Sequence, residues 1–444
     1  VYPTLTRVCS SSVATGSLPG QHGIMGNSMF LPEIDSEKPF STGDYTYLQQ
    51  LHKMAGRAFF SIESLGEVLT RSGKKMAVVS TGTSGQTFLL NHTVESGSGI
   101  TINPQFILPK THEVEILSRF GPFPPAGRPN RDRIRHAARL LLNYVLPEID
   151  PDLTIFWMSD PDGTQHYEGV GSPTGSRAIQ EADVVLHTIV ESLNRLGRRE
   201  VTDLIILSDH GHDTISKKVD LSDIFSHSDL AQAMRNREII IAQNSGSDLI
   251  YIPSQNEALI EQVITFLQRQ PWSGVIFTDG NDPIKGRYPG TFSFNSIGYR
   301  SARSPDIAFS FAWESSPNRF GITGVAPSDS DLASGGGDHG SISPFTMRNM
   351  MIASGPGFKQ GLISTIPTGL IDIAPTALAL LGLSPPSSWN GRIIQEALRK
   401  VPHPADLAFE TEQYRESIGE FSQTLQISRV GSTFYIDKGE RRLG

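Results

Sequence analysis

The chain has 444 residues, with 38 Lys and Arg against 46 Asp and Glu and a formal net charge of −8 at pH 7. Charged residues make up 19% and hydrophobic residues 38%, a globular composition that excludes a disordered or fibrous chain. No Lys/Arg-rich run offers the basic footprint of a nucleic-acid binder, no apolar run is long enough for a transmembrane helix, and a single cysteine, Cys9, excludes an intrachain disulfide framework.

In chain order, Val1-Tyr2-Pro3-Thr4-Leu5 reads as a β-like approach to Thr6, and the small residues of 8–15 read as a helix start. There is no initiator Met and no signal h-region, so the chain reads as entered in mid-structure. Residues 64–72 predict a short helix and 76–80 a β-run. Residues 91–133, rich in Pro and Gly, read as an insertion. A helix is expected over 134–146 and a buried strand over 153–158. The clearest helix is 176–196, where Ile179, Ala182, Leu186, Ile189, Leu193 and Leu196 form one apolar stripe. Residues 204–207 (LIIL) predict a fully apolar strand. A second insertion, 213–338, carries strand-like runs at 249–252, 275–278 and 307–313 and a helix at 256–270, and is read as a cap. A strand at 350–354 and a helix at 370–381 complete the order. Apolar strands alternating with amphipathic helices predict a single α/β domain over 1–444, built on a mainly parallel sheet sandwiched by helices.

In such sheets, ligand-binding residues gather beyond the carboxyl ends of the strands. The strand at 153–158 runs into Ser159-Asp160-Pro161-Asp162-Gly163-Thr164-Gln165-His166, and that at 204–207 into Ser208-Asp209-His210-Gly211-His212. Both deliver an Asp and a His to one edge. His339 lies in a glycine-rich loop ahead of the strand at 350–354. Carboxylate and imidazole are ligands that zinc, manganese or iron accept. One Asp–His pair after a strand also suits a turn or a helix cap; the metal reading rests on two such pairs together with His339. His212 is read as an outer or surface histidine and His22 as a turn histidine. Thr6, a hydroxyl at a helix start, stands among free N–H groups where a phosphate is readily held. The competing local reading makes it an N-cap.

With these pieces in order, the sequence resembles the alkaline phosphatase superfamily, and within it the type I phosphodiesterase/nucleotide pyrophosphatase branch that includes phosphonoacetate hydrolases. Tyr2-Pro3-Thr4-Leu5-Thr6 followed by Ala14-Thr15-Gly16-Ser17-Leu18-Pro19-Gly20-Gln21-His22-Gly23-Ile24 resembles the nucleophile segment and the turn after it. Asp162-Gly163-Thr164-Gln165-His166 fits D-x-x-x-H, Ser208-Asp209-His210-Gly211 fits S-D-H-G, and Asp338-His339-Gly340-Ser341 fits the final H-G motif. Ile371-Asp372-Ile373-Ala374-Pro375-Thr376 through Gly382, with Asn390-Gly391-Arg392, is similar to the C-terminal helix and loop. The resemblance implies an alkaline phosphatase-like fold and a metal-dependent hydrolase of phosphodiester or pyrophosphate bonds, acting through a phospho-threonine at Thr6. It implies that Asp162, His166 and His339 hold one divalent metal, usually zinc, with manganese or iron as alternatives. Asp209, His210 and the Thr6 oxygen would hold a second. A small phosphate-ester substrate and a periplasmic or secreted location are implied with it.

Two departures shape the expectation. The family takes a further Asp for the second metal from a strand upstream of the nucleophile, and this chain begins five residues before Thr6. That strand is therefore expected to precede Val1, and the second site of the chain as it stands is expected to be impaired. In nucleotide pyrophosphatases an Asn three residues after the nucleophile donates to the phosphoryl oxygen. Here the position is Cys9, a weak donor, with Arg7, Ser10 or a backbone N–H as substitutes, so Arg7 and Cys9 are expected at the substrate. Cys9-Ser10-Ser11-Ser12 lacks the C-x-P-x-R pattern of a sulfatase. Competing readings are a phosphonate or phosphomonoester hydrolase on the same centre and a non-catalytic metal- or ligand-binding pseudoenzyme. No G-x-S-x-G elbow supports a metal-free serine hydrolase.

Overall fold

A computed structural model of the protein describes residues 1–54, 60–97, 99–400 and 407–442. Strands Met76–Ser80, Gly99–Asn103 and Leu153–Trp157 run parallel with Met76–Ser80 in the middle, and Phe106–Leu108 adds an antiparallel edge. Side chains alternate across a strand, and here the alternation sorts two layers. Met76 and Val78 pack with Cys9, Val13, Leu65, Val68 and Leu90 on one face. Ala77 and Val79 pack with Ile100, Ile102, Ala137, Leu140 and Leu141 on the other. Helices Thr6–Thr15, Leu65–Arg71 and Ser84–Leu90 thus cover one side and Arg131–Leu140 the other, giving the expected α/β sandwich.

The sheet architecture is more mixed than the sequence suggests. Leu204–Leu207 pairs antiparallel with Met351–Ser354. Leu153–Trp157 and Leu204–Leu207 each pair on one edge only among the described residues, and both are half-buried throughout.

The long helix spans Pro173–Arg195, and its buried face only partly follows the predicted apolar stripe: Leu193 is buried and Ile189 packs against the core, but the ends of the stripe are not covered. Ile179 is 52% and Leu196 50% exposed, while burial falls on Gly175, Ala178, Val185, Ser192 and Leu193. The face is set by its neighbour, since Val185 packs with Ile134 and Ala138 of helix Arg131–Leu140. That helix passes at Leu141 into a π-helical stretch running to Ile149, which accommodates Pro147, a residue with no N–H to give an ordinary helix.

Within 240–311 lies a five-stranded sheet in the order Phe292–Ser293, Ser273–Thr278, Ile307–Phe311, Ser247–Tyr251, Ile240–Asn244. Helix Glu257–Arg269 lies on it through Leu259, Ile260, Val263, Ile264 and Leu267. A C-terminal meander, Glu410–Ile418, Phe421–Val430 and Thr433–Arg442, is absent from the sequence expectation. Gln423 ties it to the five-stranded sheet, accepting from Ile276 N–H (2.8 Å) and donating to Ile276 C=O (3.2 Å). Among the described residues no helix is long and apolar enough to cross a membrane.

Candidate metal centre and nucleophile

Helix Asp162–Glu168 follows the strand Leu153–Trp157 and puts Asp162 and His166 at i and i+4, on one face. His166 Nε2 lies 3.2 Å from Asp162 Oδ1. The other two histidines arrive through strand pairing. Gly337–Asp338 runs antiparallel to Asp213–Lys218 with Asp338 opposite Asp213, which brings the next residues, His339 and His212, face to face. His212 Nε2 is 2.8 Å and His339 Nε2 3.6 Å from the same Asp162 Oδ1. Three imidazole nitrogens therefore converge on one carboxylate oxygen, and the ligand atoms of Asp162, His166, His212 and His339 all lie within 4.8 Å of one another. The His212 side chain is buried inside this cluster, which sets aside the surface alternative and leaves the outer one.

Two of the rings are fixed by backbone carbonyls. His166 Nδ1 bonds Gly337 C=O and His339 Nδ1 bonds Thr4 C=O, each at 2.8 Å. A carbonyl only accepts, so each ring carries a proton on Nδ1 and leaves Nε2 as the atom facing the cluster, where a cation would take the place of any Nε2 proton. His212 differs: its Nδ1 is buried with no partner among the described residues. Electrostatics follow the same geometry. Burial alone opposes the charge on Asp162, but His166 and His212 hold its carboxyl well below the usual range. Burial likewise opposes a charged His166, and Asp162 overcomes it and lifts the imidazole to about 9. Burial, with His210 adding to it, holds His339 well below the ordinary value.

Thr6 is the first residue of helix Thr6–Thr15; Leu5 is the N-cap and no side chain caps the helix. Thr6 is thus not a cap, and its Oγ1 instead lies 3.2 Å from His210 Nε2. The His210 ring stacks on that of His339 at 3.7 Å between centroids and 22°. Asp209 Oδ2 is 3.3 Å from His210 Nε2, yet this buried oxygen has no hydrogen bond among the described residues, and burial pushes the carboxyl upward. A buried, unsatisfied carboxylate beside close-stacked imidazoles is a donor set that a divalent cation would relieve. The residues present fit such an ion.

The substrate side departs from the sequence expectation. Cys9 is fully buried among Val13, Leu65, Val68 and Leu69, and burial pushes its thiol upward, so it does not face a substrate. Arg7 is half-buried beside Thr6, its Nε has no partner among the described residues, and burial lowers its guanidinium to about 10 even though Asp162 and Asp209 favour the charge. Asn27, which the sequence did not single out, accepts from Arg7 N–H at 3.2 Å. Its carboxamide therefore lies at the helix start, a donor that Cys9 was expected to replace. His22 is buried in the short helix Pro19–His22, and its Nδ1 accepts from Ile24 N–H at 3.1 Å.

Residues 1–317 match the sequence profile of the family described as type I phosphodiesterase / nucleotide pyrophosphatase. Venom phosphodiesterase 2 of Crotalus adamanteus is 26% identical over 220 residues, 49% of this chain and 22% of its own length. A venom phosphodiesterase of Naja atra is 22% identical over 364 residues, 81% of this chain and 37% of its own. Ectonucleotide pyrophosphatase/phosphodiesterase family member 3 of Mus musculus is 24% identical over 220 residues. The chain spans well under half the length of these curated relatives. The solved structure of murine ectonucleotide pyrophosphatase / phosphodiesterase 5 shares the fold, with a TM-score of 0.60 at 16% identity over 90% of each chain.

Proposed function

Since the chain belongs to the type I phosphodiesterase / nucleotide pyrophosphatase family, we propose that it hydrolyses phosphodiester or pyrophosphate bonds with the aid of divalent metal, through a covalent intermediate on Thr6. The observation that carries this reading is the position of the Thr6 hydroxyl: at a helix start, 3.2 Å from His210, whose ring stacks on the His339 ring of the Asp–His cluster. Asp162, His166 and His339 would hold one cation, and Asp209 with His210 a second; a donor set rich in imidazole suits zinc. When bound, the ions supply Lewis-acid charge to the phosphoryl oxygens and lower the pKa of a coordinated hydroxyl or water.

The chain's own groups do the rest. Thr6 Oγ1 attacks phosphorus and gives its proton to solvent, and the Thr6 O–P bond forms as the bond to the leaving oxygen breaks, that oxygen departing with a proton from solvent. Water then cleaves the Thr6 O–P bond and the hydroxyl is restored. The Asn27 amide and the Arg7 guanidinium would meet the phosphoryl oxygens. His212 is proposed to orient rather than ligate. Ligation through Nε2 would leave a buried Nδ1–H with no acceptor, whereas donating Nε2–H to Asp162 leaves only a bare lone pair. An extracytoplasmic location extends the venom and ecto- designations of the relatives to this chain.

One observation favours a second reading on the same centre, a phosphomonoester or phosphonate hydrolase: Arg7 Nε has no partner among the described residues, and its charge suits a dianionic phosphoryl group. Turnover of bis-p-nitrophenyl phosphate against p-nitrophenyl phosphate separates the two. Thr6→Ala is expected to bring both to background in a folded, metal-loaded protein; an unchanged rate removes Thr6 from the mechanism.

A further inference from the structure

We propose that Thr4 is a positioning residue that locks the nucleophile segment to the loop carrying His339, so that Thr6 and His339 are held in register as one unit. This rests on the functional reading above for the meaning of Thr6 and His339, but the contacts stand by themselves. Thr4 is buried, and it engages three consecutive residues of the loop. Its C=O accepts from His339 Nδ1–H at 2.8 Å, its Oγ1 accepts from Gly340 N–H at 2.9 Å, and the same Oγ1 donates to Ser341 C=O at 2.9 Å. A hydroxyl that both accepts and donates is needed at this point, which among residues of this size only Thr and Ser provide.

The approach of the two segments is close. Gly340 has φ +101°, and a Cβ there would stand 2.7 Å from Asn244 C=O and 3.0 Å from Leu5 Cδ2. Helix Thr6–Thr15 starts directly beyond, with Cys9 N–H bonding Leu5 C=O. A shift of Thr4 is therefore passed to Thr6 across a single intervening residue. The far side of the loop is anchored without Thr4: Gly246 N–H bonds His339 C=O at 2.9 Å, and Ser341 Oγ donates to Asp213 Oδ2 at 2.6 Å. Removing the Thr4 hydroxyl leaves that anchorage in place and frees only the register between loop and nucleophile segment. The His339 bond is the functional end of the lock, because a proton held on Nδ1 by Thr4 C=O is what leaves Nε2 bare for a cation.

The test is Thr4→Val, which keeps the shape and loses the hydroxyl, with Thr4→Ser as the conservative rescue. Thr4→Val keeps the C=O that meets His339 and loses the hydroxyl bonds to Gly340 and Ser341, so it is expected to weaken Zn2+ binding by about 2- to 12-fold, the worth of one ordinary hydrogen bond, in competition with a chromophoric chelator, and to lower kcat with KM little changed. Thr4→Ser is expected to restore both. Wild-type Zn2+ affinity in folded Thr4→Val, or a Thr4→Ser variant as weak as Thr4→Val, overturns the proposal. Should Thr4→Val fail to fold, long-range 1H–15N NMR of histidine-labelled, metal-free wild-type protein decides. His339 must carry its proton on Nδ1, and a proton on Nε2 overturns the proposal. These readouts need no turnover, so a protein inactive on every phosphate ester sinks the functional reading and leaves the lock to be judged separately.

Discussion

His212 provides the sharpest perturbation of the cluster, because its assigned job is a single hydrogen bond. Its Nε2 sits 2.8 Å from Asp162 Oδ1, and its Nδ1 bonds nothing among the described residues. A hydrogen bond to a charged group is worth about 1.5–3 kcal/mol. At about 1.36 kcal/mol per tenfold, its loss caps the effect on cation affinity at about 10- to 160-fold. His212→Ala should therefore weaken Zn2+ binding within that range, read by competition with a chromophoric chelator at neutral pH. His212→Gln is the discriminating variant. Its amide N–H can take over donation to Asp162 but cannot replace an imidazole ligand, so affinity should return to near the wild-type value. Equal losses in the Ala and Gln variants would make His212 a ligand and refute the orienting role. Wild-type affinity in His212→Ala would deny it either role.

Arg7→Met removes a charge while keeping a comparable stem. If the guanidinium meets the phosphoryl oxygens, kcat/KM should fall about 10- to 150-fold, more for the dianionic p-nitrophenyl phosphate than for the monoanionic diester; equal losses on both substrates contradict that role. His22 gives an acid-stability prediction. Burial holds it at about 3, below its unfolded value near 6.5, so its contribution to stability is present above pH 6.5 and is lost as pH falls toward 3. Between pH 7 and pH 5 this amounts to about 2 kcal/mol, from proton uptake by the unfolded chain alone. Urea-unfolding midpoints of His22→Gln at the two pH values should show a pH-dependent loss smaller by about that amount, and a slope equal to that of wild type would mean His22 is not the linked group.

The groups of the centre were legible in the sequence where local geometry delivers them. Asp162 and His166 share a face because i and i+4 do so on any helix, and the strands that precede Asp162 and Asp209 aim both at one edge. His212 was not legible, because what brings it beside His339 is the register of Asp213 on Asp338, a pairing between distant segments. Asn27 and Thr4 were missed for the same reason, since their roles lie in contacts with residues that sequence neighbourhood does not reveal. Cys9 failed differently. Three residues on from Thr6 is one helical turn, about 4.5 Å along the axis, and because this helix is buried from Val8 onward that turn leads into the core instead of around the mouth of the site. The C-terminal meander gave little apolar signal because buried positions such as Ser422, Gln423, Thr424 and Ser428 are polar, with Gln423 satisfied across to Ile276. The common cause is that motifs specify which groups arrive, whereas hydrogen bonds between loops specify how far apart they stand. Substitutions at Thr4, Asn27 or His212 can thus disable a chain whose motifs all remain intact, and a motif match alone does not distinguish that chain from a working one.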